Sequence, residues 1–447
     1  MFLFEPDKFR EDPEKLKVAV VGAGYVGMSL ATIFAESGIR VLVLDVDKEK
    51  VKTLNEKKLP FYEPGLLDTF SKHIHKNLFV TENIDEAISR SGVVLVTVGT
   101  PLNVFHEPSI LNVTNACKDI AKLINKGSML ILCSTVPVGT TSDVIKPLIE
   151  KISGFKVDEE VGLAFCPERL LEGSAVSNLR NMVKLVGAVG EKSRNASSIF
   201  FDIVGIKSKV VSTPEVAEMA KLLCNAYRAA NIALGNEFSL ICGYFGIDAH
   251  EVIEASNTSP IVNIMRPGMM GGSCLTKDPY FLTTSAMKKG IHPEILVSAR
   301  NLNEELPGYV ARLVVDGFKE AKKNIRDSKI AILGFAFKGE TDDTRETPVI
   351  PLIEILKKVG AKEIVVYDPY VKKEHILSLN VDVAESVPEA INNTDCIILG
   401  AEHNEIKNFD FEELLSAIKN PPILIDGKGI LKYKINEKII QKGIGLC

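Results

Sequence analysis

Val18-Ala-Val-Val-Gly22-Ala-Gly24-Tyr25-Val26-Gly27 decides the fold. An apolar run of strand length opens onto G-x-G-x-x-G, and a helix pattern follows. Strand, glycine turn and helix in that order make the first unit of a phosphate-binding sheet. Gly22 allows the tight turn, Gly24 lets the backbone approach a pyrophosphate, and Gly27 lets helix and strand pack closely. The phosphates would lie on the helix N-terminus, where N–H groups lack helical partners. Tyr25 and Val26, inside the motif, complete this candidate site.

Working outward, a second strand over 41–45 ends at Asp45, 18 residues after Gly27. An acid there can bind a ribose 2′-hydroxyl and disfavours a 2′-phosphate, so NAD is expected rather than NADP. Lys50, five residues on, can face the adenosine. The competing reading is a glycine-rich turn with no ligand; the strand, helix and acid together weigh against it. Val98-Gly99-Thr100-Pro101 and Ser134-Thr135-Val136-Pro137 follow two more apolar runs and point at the same crevice. Taken singly, each reads as a loop cap.

Apolar runs at 17–21, 41–45, 93–98, 129–133 and 161–165, with helix-length spacers, predict a parallel sheet covered on both faces. This unit is expected to extend to about residue 212. From Glu215 to about Gly246 the pattern is one long helix, with Pro214 suited to its first turn. A loop rich in Pro, Gly and Met spans 260–279, and more helix runs to about 325. Runs at 330–333, 364–367, 396–399 and 423–425 repeat the order strand, glycine turn, helix, acid, the acid now being Asp368. The expected architecture is α/β: two doubly wound, Rossmann-like parallel-sheet domains (1–212 and 326–447) joined by a long central helix and a helical bridge (213–325).

The whole chain of 447 residues suits about three domains. At 46% hydrophobic and 25% charged it is ordinary globular protein, which excludes collagen-like, disordered and disulfide-stapled classes. A net charge of −5 gives no support for a nucleic-acid or membrane-surface role. No apolar run nears the ~20 residues of a membrane helix, and the charged N-terminus does not suit a signal peptide; a cytoplasmic location is expected. The eight cysteines contain no C-x-x-C pair, so no metal site is expected. Most, in apolar stretches, read as small buried hydrophobes; Cys274 does not.

Glu218, Lys221, Asn225 and Arg228 share one face of the long helix. A row of this kind is usually a solvated face. Here the surroundings, Ala-Lys-Leu-Leu-Cys-Asn-Ala-Tyr, are apolar enough to bury a lysine and suit it to electrostatic or acid–base work. In Gly271-Gly272-Ser273-Cys274-Leu275-Thr276-Lys277-Asp278-Pro279 the thiol sits in a polar loop beside Lys277. A nearby cation lowers a thiol pKa from about 8.5. A lone cysteine is more often inert, but beside a dinucleotide site covalent catalysis gains weight.

These residues together resemble the UDP-glucose/GDP-mannose dehydrogenase family, the nucleotide-sugar 6-dehydrogenases. The markers span 16–430: Gly22–Gly27, Tyr62-Glu-Pro-Gly-Leu66, Ser134-Thr-Val-Pro-Val-Gly-Thr140, Pro167-Glu-Arg169, Glu218-Met-Ala-Lys-Leu-Leu-Cys-Asn225, Gly271-Gly-Ser-Cys274 with Lys277-Asp278, and Phe337-Lys338 with Asp343-Thr-Arg345. The resemblance implies a four-electron oxidation of C6 of a UDP-sugar, using two NAD⁺. Cys274 would attack the intermediate aldehyde and pass through a thiohemiacetal and a thioester. Lys221 and Asn225 would stabilise the oxyanion; Asp278, Thr135 and Glu168 would position water or move protons. Arg169, Leu170 and Glu172 would line the cleft, Glu172 on the cofactor side. Lys338 would close over the substrate and Arg345 over the cofactor, while Arg228, Gly271 and Lys428 are expected at the substrate. A homodimer or a multiple of it is implied, with the long helix as a candidate interface.

Two departures stand out. Met269-Met270 replace a glycine-bearing step before Gly271, and Ser259-Pro-Ile-Val-Asn263 lacks the arginine that acetamido-sugar members often carry. The stretches Asn225–Ala233, Asp278-Pro-Tyr280 and Phe337-Lys-Gly339 favour UDP-N-acetylmannosamine or a related acetamido sugar. Gly-Gly-Ser-Cys, Lys277-Asp278 and Leu171-Glu172-Gly173 favour UDP-glucose. A two-electron hydroxyacid dehydrogenase and a non-catalytic sensor of NAD and UDP-sugar are the competing functions. The number of NADH formed per sugar separates them: two, one or none.

Overall fold

The computed structural model describes residues 2–170, 172–410, 418–419, 421–431 and 439–446, of which 176 and 177 by backbone alone; Leu171 and Cys447 lie outside the described residues. Contacts divide the chain into two compact units, Met1–Cys224 with Tyr280–Ile291, and Asn225–Pro279 with His292–Cys447.

The first unit holds an eight-stranded sheet: β1 (Lys17–Val21), β2 (Arg40–Leu44), β3 (Leu78–Thr81), β4 (Val93–Val96), β5 (Met129–Leu132), β6 (Gly162–Phe165), β7 (Lys184–Ala188) and β8 (Ser208–Val211). Their order is β3-β2-β1-β4-β5-β6-β7-β8. Alternate residues feed opposite faces. Val18, Val20, Leu95 and Ile131 join one buried cluster, and Ala19, Val21, Val94 and Leu130 the other. Both faces are covered, so the strands read as continuous apolar runs rather than alternating ones.

One pair departs from the expected parallel sheet: β6 and β7 are antiparallel, Ala164 opposite Ala188 and Phe165 opposite Gly187. Between them, among the described residues, lies the seven-residue helix Ala175–Asn181; the chain returns beside β6 running the other way, as an antiparallel pair.

The second unit holds β9 (Lys329–Leu333), β10 (Glu363–Tyr367), β11 (Asp382–Val383), β12 (Cys396–Leu399), β13 (Ile423–Asp426) and β14 (Ile440–Gly443). All described pairs are parallel, in the order β11-β10-β9-β12-β13-β14. Ile330, Ile332, Ile398 and Ile425 bury on one face; Ala331, Leu333, Ile397 and Leu424 bury on the other. The expected long helix runs from Pro214 to Phe245 as 32 residues. It crosses the boundary between the units within one uninterrupted helix. Helices Asp278–Lys288 and Glu294–Glu320 supply the predicted helical stretch after the loop. Among the described residues no helix is long and apolar enough to cross a membrane.

Candidate functional site

In the first unit the glycine turn links β1 to α1 (Tyr25–Glu36). Gly22 has φ +106°, and a Cβ on Gly27 would sit 1.8 Å from the Gly22 carbonyl oxygen, so no side chain fits there. Gly24 caps α1 with no side-chain hydrogen bond, and a Cβ on it would meet nothing within 4 Å. The helix N-terminus is therefore approachable, as an anionic pyrophosphate requires. Asp45 follows β2 and is 9% exposed. Its carboxylate accepts from Ala23 N (2.7 Å), Asp47 N (3.0 Å) and Lys50 Nζ (3.2 Å). Lys50 is thus engaged with Asp45 itself. These residues fit a dinucleotide: Gly24, Tyr25, Val26 and Gly27 at the pyrophosphate, Asp45 at the ribose.

Two anchors of this turn escape the sequence reading. Thr97 Oγ1 donates to the carbonyls of Val21 (2.9 Å) and Gly22 (3.0 Å), tying the end of β4 to the turn. Glu63, 3% exposed, accepts the Tyr25 hydroxyl and the N–H groups of Gly173 (2.8 Å) and Ala175 (2.6 Å). Burial and this carboxylate push the Tyr25 phenol well above its ordinary pKa, so Tyr25 stays neutral and occupied. Glu63 lies in the quoted Tyr62-Glu-Pro-Gly-Leu66, but an acid in a polar loop carries no local sign of a partner 110 residues away.

At the carboxyl ends of β4 and β5, Thr100 is buried and Thr135 half-buried. Ser134 Oγ donates to the Val98 carbonyl at 2.6 Å and joins the two loops. Glu168, past the end of β6, is 7% exposed. One of its oxygens accepts from Arg169 N (2.8 Å), the other from Lys184 Nζ (2.6 Å). The Arg169 guanidinium donates to the Val183 carbonyl. Leu170 packs on the first core, and Glu172 is half-buried.

The polar row on the long helix is not a solvated face. Glu218, Lys221 and Asn225 are 0%, 6% and 6% exposed. Glu218 accepts from Gly139 N (2.6 Å), Thr141 N (2.9 Å) and Thr141 Oγ1 (2.6 Å). It is a clamp on the loop after Thr135, and burial lifts its pKa above the ordinary carboxylate value. Arg228 is half-buried.

The second unit gathers the thiol turn. Cys274 is exposed, and its carbonyl accepts from Asp278 N at 2.9 Å. Asp278 is fully buried and accepts from Asn225 Nδ2 at 2.6 Å. A Cβ on Gly271 would lie 2.8 Å from Phe337 Cβ, and one on Gly272 (φ +90°) 2.6 Å from the Phe337 ring. The two glycines thus let Phe337, just past β9, lie against the thiol loop. Lys428 Nζ donates to the carbonyls of Met269 (2.8 Å) and Phe337 (2.7 Å). Burial pushes this ammonium down to about 8. Met269, one of the two departures, is 2% exposed and donates its N–H to the Gly427 carbonyl at 3.0 Å. It seats the loop where a glycine would leave a gap. Lys338 is half-buried. Arg345 forks onto Asp343 of its own loop (2.9 and 3.0 Å).

No disulfide joins the described cysteines. Among the described residues no three His, Cys, Asp or Glu side chains gather as metal ligands would.

Models of three domains of the UDP-glucose/GDP-mannose dehydrogenase family match the chain. The NAD binding domain matches residues 16–204, the central domain 215–305 and the UDP binding domain 331–433. The chain is 32% identical over 421 residues to the UDP-N-acetyl-D-mannosamine dehydrogenase of Pyrococcus horikoshii, covering 93% of this chain and 96% of that one. It is 30% identical over 423 residues to the UDP-N-acetyl-D-glucosamine 6-dehydrogenase of Pseudomonas aeruginosa, 94% and 98% of the two chains. Among solved structures, the UDP-D-ManNAc dehydrogenase from Pyrococcus horikoshii superposes with a TM-score of 0.86 at 32% identity, over 96% of this chain and 99% of that one.

Proposed function

The chain belongs to the UDP-glucose/GDP-mannose dehydrogenase family, and from that premise we propose that it oxidises C6 of a UDP-N-acetylhexosamine, foremost UDP-N-acetylmannosamine, from alcohol to carboxylate. It is an NAD-dependent nucleotide-sugar dehydrogenase. The relatives named for acetamido sugars support this substrate class over UDP-glucose.

The observation that carries the chemistry is the Asn225–Asp278 contact of 2.6 Å at the base of the thiol turn. It fixes an amide and a carboxylate four residues from Cys274. Bound at Gly22–Gly27 and Asp45, the dinucleotide supplies the hydride acceptor for each two-electron step. Cys274 Sγ adds to the C6 aldehyde, so the half-oxidised sugar stays bound. Lys221 and Asn225 stabilise negative charge on the C6 oxygen. Asp278, Thr135 and Glu168 hold water and take protons as the thioester is hydrolysed. Arg169, Leu170, Arg228, Gly271, Lys338 and Lys428 hold the nucleotide sugar; Lys50, Thr100, Glu172 and Arg345 serve the dinucleotide. Tyr227, Ile241, Tyr244 and Phe245 are exposed along the long helix. A second copy of the chain is the partner proposed for that face, and sedimentation of the enzyme is expected to give a dimer or a multiple of it.

The test incubates the enzyme with NAD⁺ and a panel of UDP-sugars and counts NADH per sugar consumed. Two per UDP-N-acetylmannosamine is expected. One per sugar overturns the four-electron reading, none overturns enzymatic turnover, and a preference for UDP-glucose overturns the sugar. Cys274→Ser is expected to abolish net acid formation; normal acid output from it sinks the covalent route.

A further inference from the structure

The reversed strand β7 has a chemical consequence. In a parallel sheet the first residue of a strand lies at the edge away from the ligand crevice. Because β7 opposes β6, its first residue, Lys184, lies at the carboxyl edge of β6. Continuing the register of Ala164 with Ala188 brings Glu168 directly opposite Lys184. The two side chains meet there at 2.6 Å, 5% and 7% exposed.

We propose that Lys184 is a positioning residue for Glu168: it holds that carboxylate in one orientation, and so is needed for the hydrolytic step in which Glu168 takes a proton. This rests on the role given to Glu168 above. The other Glu168 oxygen is held by the Arg169 N–H, so the carboxylate has little freedom to turn. The titratable groups acting on Lys184 besides Glu168 are Cys133 and Cys166, at the ends of β5 and β6. Burial pushes Cys133 up to about 11 and Cys166 well above its ordinary value, so both stay neutral thiols near pH 7. The Phe201 ring faces the ammonium at 5.6 Å. Glu168 is thus the anion that meets this lysine. Burial alone would drain charge from the ammonium, and the carboxylate outweighs it, leaving Lys184 above its ordinary pKa. Conversely, a buried carboxylate stripped of its cation takes up a proton and ceases to be a base.

The experiment compares Lys184→Met, Lys184→Arg, Glu168→Gln and the double variant in the full chain, with NAD⁺ and UDP-N-acetylmannosamine. Lys184→Met is expected to lower kcat at least about tenfold with little change in KM, and to move the acid limb of kcat up by about one pH unit. Lys184→Arg is expected to recover most of the rate. The double variant is expected to be no slower than Glu168→Gln alone, because Lys184 acts only through Glu168. If Lys184→Met does not fold, the double variant, which leaves no charge buried, carries the test. A wild-type rate and pH profile for Lys184→Met beside a slow Glu168→Gln overturns the proposal and leaves the reaction standing. A double variant much slower than Glu168→Gln overturns it too. A wild-type rate for Glu168→Gln overturns the role of Glu168 itself, and this proposal with it.

Discussion

The two sheets share an order of parts and use it differently. Each has a strand, a glycine turn, and a second strand ended by an acid, Asp45 in the first and Asp368 in the second. After Gly22 the helix α1 begins within three residues, and Gly24 leaves open space before it. After Gly334 the next described helix begins only at Val349, and a Cβ on Gly334 would meet Ala401 N at 2.4 Å. Asp45 accepts two backbone N–H groups and one lysine. Asp368 accepts four backbone N–H groups, from Phe335 (2.6 Å), Ala336 (2.9 Å), Tyr370 and Val371 (3.0 Å each). It also meets buried His403 Nε2 at 3.0 Å. Glu340 N donates to His403 Nδ1 at 3.0 Å, so Nε2 carries the proton toward Asp368. The second acid is consumed by the fold, whereas the first meets fewer backbone groups and is the one proposed for the dinucleotide.

The largest expected effect breaks that contrast from the second side. Asp368→Ala leaves four N–H groups and a histidine without their acceptor, and should cost at least about 3 kcal/mol in denaturant unfolding. NAD affinity should be unchanged; a fall in NAD affinity without loss of stability would falsify the division of roles. The same acid predicts a pH dependence. Burial works to raise the Asp368 pKa, and the His403 and backbone hydrogen bonds outweigh it, holding it below the ordinary carboxylate value. Its contribution is therefore complete above about pH 4, the unfolded value, and is lost as pH falls below that. Acid unfolding of Asp368→Asn should lack this component.

Next in size, Gly27→Ala forces a methyl against the Gly22 carbonyl and should cost about 1–3 kcal/mol together with NAD binding. Normal NAD affinity with unchanged thermal stability would contradict the close packing seen here. Asp45→Ala should weaken NAD by about tenfold, near 1.4 kcal/mol, and narrow the preference over NADP, with a smaller stability loss than Asp368→Ala. Equilibrium titration with both dinucleotides reads this directly. The smallest effect concerns Lys428, whose buried ammonium is held at about 8. A diphosphate bound beside it would restore its charge, so binding of UDP should take up about half a proton at pH 8 and almost none at pH 6.5. Calorimetry in buffers of different ionisation enthalpy measures the uptake, and Lys428→Met should abolish it.

Much of this was legible in the chain. The βα turn, Asp45, both parallel-sheet units and the long helix follow from apolar periodicity and a few glycines, because burial on two faces leaves a local imprint. Strands β3, β7 and β8, and β11 and β14 of the second sheet, leave no such imprint. They are two to five residues long, with polar residues such as Lys184, Ser208 or Asp382 at their ends, and short runs at a sheet margin look like loop. Glu218 shows the limit at the site. Its spacing placed it correctly on the face of Lys221 and Asn225, but its partners, Gly139 and Thr141, are 79 and 77 residues away.

The amino-acid order alone determined where the chain makes its continuous apolar strands, where it turns on glycine, and which reactive side chains share a helix face. These depend on neighbours within a few positions. The pairing of strands was decided only by the folded chain. Register and direction across a sheet depend on contacts between segments far apart in the chain, and one reversed strand brings Lys184 to Glu168. The same holds for Asp45 and Asp368: alike in sequence position, they diverge because the groups that reach each carboxylate come from elsewhere in the fold.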